Sequence, residues 1–377
     1  MRKNTNKCEQ LINVKIIKRT YNKMYIKNIK LCNFRNYEQL DLELNKNINI
    51  IYGDNAQGKT NILESIFLCS FGKSFRTTKE KEMIQFNKDS ALVEILYQKK
   101  DRDGKVKIEI GAKKQISVNG IKIKKLSELL GNINIVIFTP DDINILKNGP
   151  DKRRRFLNMM IGQLRPNYIY NLNMYLNTME ERNNYLRQIR ENNKSVELLD
   201  IWDEKLAEYG EIVFKYRKEF IEKILNIINE IHSKITEEKE NLKIIYTSNC
   251  ENKDKYLKLL KERRSLDILK GFTTKGIHRD DFMIYINDKE VSIYGSQGQN
   301  RTAVLSLKLA ELNVVYNELG EYPILLLDDF MSELDEKRRK NFLNNIKDTQ
   351  VILTGTDKLD LQNVEYSLYN VKKGEII

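Results

Sequence analysis

Apolar and polar residues alternate from Met24 onward, and Tyr25-Ile26-Lys27-Asn28-Ile29-Lys30-Leu31 reads as a strand with one buried face. Asn33-Phe34-Arg35-Asn36 supplies a turn, and Leu40, Leu42 and Leu44 alternate in a second strand. Ile48-Asn49-Ile50-Ile51-Tyr52 is a short apolar strand running into a loop with two glycines, after which Thr60 to Phe71 reads as a helix. From 90 to 125 the pattern is a meander. Ala91 to Tyr97 and Val106 to Ile110 are strands about an Asp103-Gly104 turn. Asn119-Gly120, between Ile116-Ser117-Val118 and Ile121-Lys122-Ile123, predicts a two-residue hairpin. Ile133 to Phe138 is a strand of the fully buried type.

At Pro140 the period changes, and to about residue 265 the pattern is helical. Ile169, Leu172, Leu176, Met179 and Leu186 form one seam. Leu199, Trp202, Leu206, Tyr209, Val213, Tyr216 and Phe220 begin another, which continues through Ile224, Ile228, Ile231 and Ile235. A break near Asn192-Asn193 makes these two long helices an antiparallel arm. Strand patterns return after Gly271, with Phe282 to Ile286 and an Asn287-Asp288 turn. A helix from about Arg301 to Leu319 and an apolar strand, Ile324 to Leu327, follow. The expected fold is α/β: a head with an antiparallel β subdomain and an inserted helical arm. Its divisions fall at 24–139 (head), 140–270 (arm) and 271–377 (head), after an N-terminal extension of 1–23.

The candidate chemistry begins at Gly53-Asp54-Asn55-Ala56-Gln57-Gly58-Lys59-Thr60, which fits G-x-x-x-x-G-K-[ST] between a strand and a helix. Amides of such a loop cradle phosphate oxygens, a lysine here reaches the terminal phosphates, and Thr60 offers its hydroxyl to Mg²⁺. Ile324-Leu325-Leu326-Leu327-Asp328-Asp329 is its natural complement, with Asp328 expected to hold Mg²⁺ and Asp329 to polarise an attacking water. Tyr294-Gly295-Ser296-Gln297-Gly298-Gln299 precedes a helix and makes a second anion site. On its own that stretch is a helix cap. Before an acidic strand it resembles the loop with which one head of an ABC-class ATPase closes over the nucleotide of another. Ser332-Glu333-Leu334-Asp335 then stands where that class has the loop after its acidic strand. His278 is read as an organiser of polar contacts rather than a base. Thr354 or Thr356 is the candidate for the role a histidine plays in transporter ATPases. Arg153-Arg154-Arg155 either binds phosphate or flanks a helix, and Trp202 belongs to the arm's core.

Charge changes the picture by its location. The 377-residue chain carries 65 basic and 53 acidic side chains, net +12. Residues 1–23 hold 7 and 1, residues 76–125 hold 14 and 7, and residues 126–377 hold 38 and 40. The excess lies in the extension and in one meander, which reads as a solvated β surface or a nucleic-acid footprint. Four dispersed cysteines argue against a disulfide framework or a zinc site, and no stretch has the length of apolar sequence that spans a membrane. A cytoplasmic protein with no membrane partner is expected.

Five motifs in order resemble the RecF family, bacterial recombination-mediator ATPases, from Met24 nearly to the C-terminus. They are Tyr25-Ile26-Lys27 through Asn33-Phe34-Arg35-Asn36-Tyr37; the loop with Asn55 and Gln57; Pro140-Asp141-Asp142 with Lys147, Pro150 and Arg153-Arg154-Arg155-Phe156-Leu157; His278-Arg279-Asp280-Asp281; and Gly295-Ser296-Gln297-Gly298-Gln299-Asn300-Arg301-Thr302 running into Leu305 to Glu311. Asn148-Gly149 and Ile277 depart from the family's usual Gly-Ser and proline, away from the phosphate-binding positions. Residues 1–23 have no counterpart in it, which leaves two candidates for the native start, Met1 and Met24. The resemblance implies a two-lobed ABC-type P-loop ATPase head with the helical arm inserted, acting as an ATP-dependent homodimer on gapped DNA or single-strand/double-strand junctions, with RecO and RecR as partners and RecA loading as the outcome. It implies slow ATP hydrolysis as a dimerisation switch. Nucleotide contacts are expected at Gly53, Asp54, Asn55, Ala56, Gln57, Gly58, Lys59, Thr60, Asn61 and Gln299, with Lys59, Asp329 and Ser296 of the second copy carrying the reaction. The rival readings are a transporter ATPase, against which the local basic stretch counts, and an SMC-like tether, for which the arm is short.

Overall fold

The computed structural model describes residues 23–100, 102–192, 194–237, 239–330, 342, 346, 348–356 and 365–377. The extension up to residue 22 and the Ser332-Glu333-Leu334-Asp335 loop lie outside the described residues.

Among the described residues two six-stranded sheets face each other across one helix. The antiparallel sheet is formed by β1 (Tyr25–Phe34), β2 (Tyr37–Glu43), β4 (Ala91–Lys99), β5 (Arg102–Ile110), β6 (Gln115–Val118) and β7 (Ile121–Lys122), in the order β2-β1-β4-β5-β6-β7. The second has the order β15-β14-β3-β13-β12-β8. Its members are β3 (Ile48–Tyr52), β8 (Ile135–Phe138), β12 (Ile324–Leu327), β13 (Val351–Gly355), β14 (Tyr366–Lys372) and β15 (Glu375–Ile376), and β14 through β8 run parallel. Helix α1 (Lys59–Phe71) lies between the sheets, so eleven of its thirteen residues are buried and it carries no polar stripe. The long α8 (Gln297–Leu319) covers the other face of the parallel sheet through Leu305, Leu309 and Leu312. Strands buried on both faces are expected to be continuously apolar, and β8 and β12 are. Gln350 joins the two sheets: its Oε1 accepts from the Ile26 amide at 2.7 Å, and its Nε2 donates to Ile26 O and Asn45 O.

The arm consists of α2 (Asn144–Lys147), α3 (Pro150–Leu164), α4 (Pro166–Asn192), α5 (Leu199–Thr236) and α6 (Lys253–Lys270). At ~1.5 Å per residue the 38-residue α5 is about 57 Å long. Two buried arginines fasten it. Arg182 on α4 donates to Asp203 on α5 at 2.7 Å and to Asp267 on α6 at 2.8 Å. Arg217 on α5 donates to Asp280 at 2.8 Å and to Ile277 O at 2.7 Å. The last elements are β9 (Leu242–Thr247), β10 (Asp281–Ile286), β11 (Lys289–Glu290) and α7 (Val291–Tyr294).

Two expectations are corrected. The stretch from Pro140 to about 265 is not helical throughout, because β9 interrupts it and pairs antiparallel with β10. Leu242 and Ile244 turn inward with strand period, immediately after the long helical seam ends. Asp103-Gly104 is not a turn but part of β5, and the chain reverses between Lys99 and Arg102. Gly104 faces Tyr97, where a β-carbon would fall 2.2 Å from the ring, so the glycine makes room for an aromatic neighbour. The Asn119-Gly120 hairpin forms as expected, with φ of 51° and 83°.

Candidate nucleotide site

The loop between β3 and α1 folds around backbone angles that few residues accept. Gly53, Ala56 and Gly58 have φ of 145°, 63° and 118°. A β-carbon on Gly58 would meet the Asn36 side chain at 2.6 Å, and one on Gly53 would meet Val371 O at 2.3 Å. The loop is therefore clasped from outside. Asn36, on the β1–β2 turn, donates to Gln57 O at 2.7 Å and accepts from Asn61 at 2.7 Å. Tyr37 donates to Gly58 O at 3.2 Å. The β14–β15 hairpin adds Lys373 N to Gln57 Oε1 at 2.6 Å and Gly374 N to Gln57 O at 3.1 Å. Asp54, Asn55 and Ala56 are exposed at the crest. Lys59 is buried below it and donates to Gly53 O and Asp54 O at 2.5 and 2.9 Å, spanning the loop mouth.

Strand order brings the acidic strand end to this loop. β13 lies between β3 and β12, and ligands of open parallel sheets sit at the carboxyl ends of such strands. Thr60 Oγ1 donates to Asp328 Oδ1 at 2.8 Å across 268 residues of sequence. Thr354, at the end of β13, donates to the same oxygen at 2.9 Å and accepts from the Asp329 amide at 3.0 Å. Burial pushes the Asp328 carboxyl above the ordinary range, and the Thr60 and Thr354 hydroxyls oppose it. Asp329 follows in a left-handed conformation, φ 47°. A cavity of about 590 Å³ opens beside Thr60 and Asp328, with Arg76, Lys152 and Arg155 on its wall.

Ser296 and Gln299 stand elsewhere, at the N-terminus of α8. Ser296 is exposed and accepts from the Gln299 amide at 3.2 Å, while Gln299 Oε1 accepts from the Ser296 amide at 2.9 Å. Neither lines the cavity beside Thr60 and Asp328. His278 accepts from or donates to Tyr175 at 2.9 Å and meets Thr273 O at 3.1 Å, the contacts of an organiser. The arginine triplet divides. Arg153 forms a two-pronged pair with Asp281 and Arg154 holds Asp280 O, so both are structural. Arg155 makes one long bond, 3.5 Å to Phe75 O, and faces the cavity.

Sequence reasoning gave no roles to Asn36 and Arg76. Arg76 donates to Asn61 at 2.7 Å and lies 3.4 Å from the buried Glu64. The turn motif around Asn36 was its only signal. The basic meander is less free than its composition suggests. Lys105 pairs with Glu94 at 2.8 Å, Lys107 with Glu109 at 2.6 Å, and Lys114 with Glu80. Lys113, Lys124 and Lys125 are exposed and form no ion pair among the described residues.

A glycine loop after β3, a carboxylate at the end of β12 and a capped serine loop on α8 define an ATPase head of the ABC/SMC type. The chain belongs to the RecF family: the family model described as RecF/RecN/SMC N terminal domain matches residues 25–375. It is 45% identical to the DNA replication and repair protein RecF of Alkaliphilus oremlandii, over 94% of this chain and 100% of that protein. Identity to the RecF of Clostridium beijerinckii is 44%, over 94% and 98%. The solved structure of the recombination mediator protein RecF-ATP in the RecFOR pathway is 39% identical, with a TM-score of 0.90 over 96% of this chain and 99% of the other. The Smc head domain of Pyrococcus furiosus has a TM-score of 0.55 at 17% identity, a likeness of fold alone.

Proposed function

We propose that this chain is an ATP-dependent DNA-binding protein of replication-associated gap repair, which dimerises on ATP and hydrolyses it slowly. The observation that carries the reading is the 2.8 Å bond between Thr60 and Asp328. A hydroxyl and a carboxylate meeting beside a phosphate loop are hard oxygen donors suited to Mg²⁺. Among the described residues no cluster of three or more His, Cys, Asp or Glu forms a metal cage. Mg²⁺ seldom uses one, since phosphate oxygens and water complete its shell. Bound there, Mg²⁺ would neutralise charge developing on the terminal phosphates.

In this reading the residues Gly53 to Asn61 bind the phosphates through backbone amides, with the Lys59 ammonium freed from Gly53 O and Asp54 O to meet them. Asp329 orients and deprotonates the attacking water, and Thr354 fixes Asp328 against Asp329. Ser296 and Gln299 of a second copy close the site. Hydrolysis removes the group that joins the copies and releases the dimer. DNA, gapped or at single-strand/double-strand junctions, RecO and RecR are the proposed partners, and help in loading RecA the proposed outcome. A cytoplasmic site of action fits this role, as does the division into 24–139, 140–270 and 271–377. Among the described residues no helix is long and apolar enough to cross a membrane.

Gel filtration with ATP, with and without gapped DNA, tests the reading. Lys59→Ala is expected to lose nucleotide binding and the dimer together. Ser296→Arg is expected to keep monomeric nucleotide binding and lose the dimer. A Ser296→Arg protein that dimerises normally on ATP would refute the closure by a second copy.

A further inference from the structure

The Ser296 cap has a support behind it. With its carbonyl oxygen on the Ser296 amide, Gln299 turns its nitrogen the other way and donates to Glu240 Oε1 at 2.8 Å. Glu240 Oε2 meets His232 Nε2 at 3.1 Å, and His232 Nδ1 lies 2.9 Å from Ser306 Oγ. Ser296, Gln299 and Ser306 belong to the cap and body of α8, His232 lies on α5, and Glu240 stands on the connection from α5 to β9. The arm thus grips α8 twice, once at a buried serine and once at its exposed first turn.

Atom types decide how the chain of bonds runs. His232 is fully buried, and burial holds its pKa below the ordinary value although Glu240 opposes this. With a neutral ring one tautomer fits a carboxylate: Nε2–H donates to Glu240 and Nδ1 accepts from the Ser306 hydroxyl. Both Glu240 oxygens are then engaged. An acid this near an anion site would repel phosphate, and spending its lone pairs on Gln299 and His232 softens that. A capping box alone leaves an exposed helix end free to fray. The glutamate anchor restricts Gln299 to the rotamer that holds Ser296.

We infer that Glu240 and His232 are positioning residues for ATP hydrolysis, holding Gln299 and through it Ser296 in the orientation that meets the terminal phosphate bound by a second copy. The inference rests on the proposed closure by Ser296. It also makes the arm a participant, because the Glu240 carboxylate passes a shift of α5 to Gln299 and so to Ser296.

The test compares full-length wild type, Glu240→Ala, Glu240→Gln and Ser296→Arg by steady-state ATP turnover, fluorescent ATP-analogue binding to the monomer, and thermal unfolding. Glutamine keeps an acceptor for Gln299 and can donate to the other His232 tautomer, with Ser306 then donating to Thr302 O, 2.8 Å away. Glu240→Ala is expected to lower kcat about tenfold, with KM and monomer affinity within about twofold of wild type. Glu240→Gln is expected to recover most of that loss. Wild-type turnover in Glu240→Ala, or an equal loss in Ala and Gln, overturns the inference. So does a fall in monomer affinity parallel to kcat, which would mark a general defect. If Ser296→Arg itself turns over normally, the closure model fails and this inference with it; if only Glu240→Ala is silent, the inference alone fails.

Discussion

Thr354 is one hydroxyl with two tasks, donating to the Asp328 carboxylate and accepting from the Asp329 amide. Thr354→Val keeps its shape and removes both bonds. It is expected to lower kcat about tenfold, equivalent to ~1.4 kcal/mol, with nucleotide affinity retained and Thr354→Ser restoring the rate. Stopped-flow phosphate release checks this. His278 gives a second expectation. Its pKa is pushed down to about 4, by burial first, from an ordinary 6.5. A depressed histidine pKa means that the unfolded chain takes up a proton the folded chain refuses. The contribution is intact above 6.5 and is lost as pH falls toward 4. Urea unfolding at pH 7 and pH 5 should show a stability loss that shrinks in His278→Gln. At this scale the sequence was legible where chemistry is contiguous. Gly53 to Thr60 and Asp328-Asp329 could be read directly because their spacing is their function. Thr354 was visible only as one of two threonines at a strand end. Asn36 was legible only as part of a turn, and Arg76 and Glu240 were silent, because each acts on a residue 15 or more positions away.

Among elements, the arm hairpin depends on Arg182, whose side chain is wholly buried between Asp203 and Asp267. Replacing it with methionine strands the buried Asp267 carboxylate, while Asp203 keeps Arg264 at 2.6 Å. A loss of about 3–5 kcal/mol is expected, because a stranded buried charge costs far more than the pair contributes. Equilibrium urea denaturation measures it, and a loss below about 1 kcal/mol would mean that the acids find protons or water. The long helices and short parallel strands were legible from period and apolarity alone. β9 was not, since a six-residue strand next to a 38-residue helical seam offers little period of its own. Gly104 was misread because glycine marks both turns and close approach, and only the Tyr97 ring across the ladder distinguishes them.

For the whole molecule, the charge excess narrows to a few lysines. Lys122, Lys124 and Lys125 line a cavity of about 330 Å³ by the Asn119-Gly120 hairpin, and Lys113 lies exposed nearby in sequence. Reversing Lys113, Lys124 and Lys125 to glutamate is expected to weaken DNA binding and flatten its dependence on log salt by about 2–3. An unchanged slope by fluorescence anisotropy would move the DNA to another face. Net charge could not have supplied this, since Lys105, Lys107 and Lys114 are matched by acidic partners that sequence order does not reveal.

The parallel sheet also has a consequence in time. β3, which carries the phosphate loop, has β13 and β14 as its two neighbours, and these belong to residues 351–372. On the ribosome some 300 residues separate their synthesis from that of β3. At about 5–20 residues per second the strand waits roughly 15–60 s with both edges unpaired. The nucleotide site is therefore among the last parts of the protein to exist, and the nascent chain is most exposed to misassembly at the strand on which its chemistry depends.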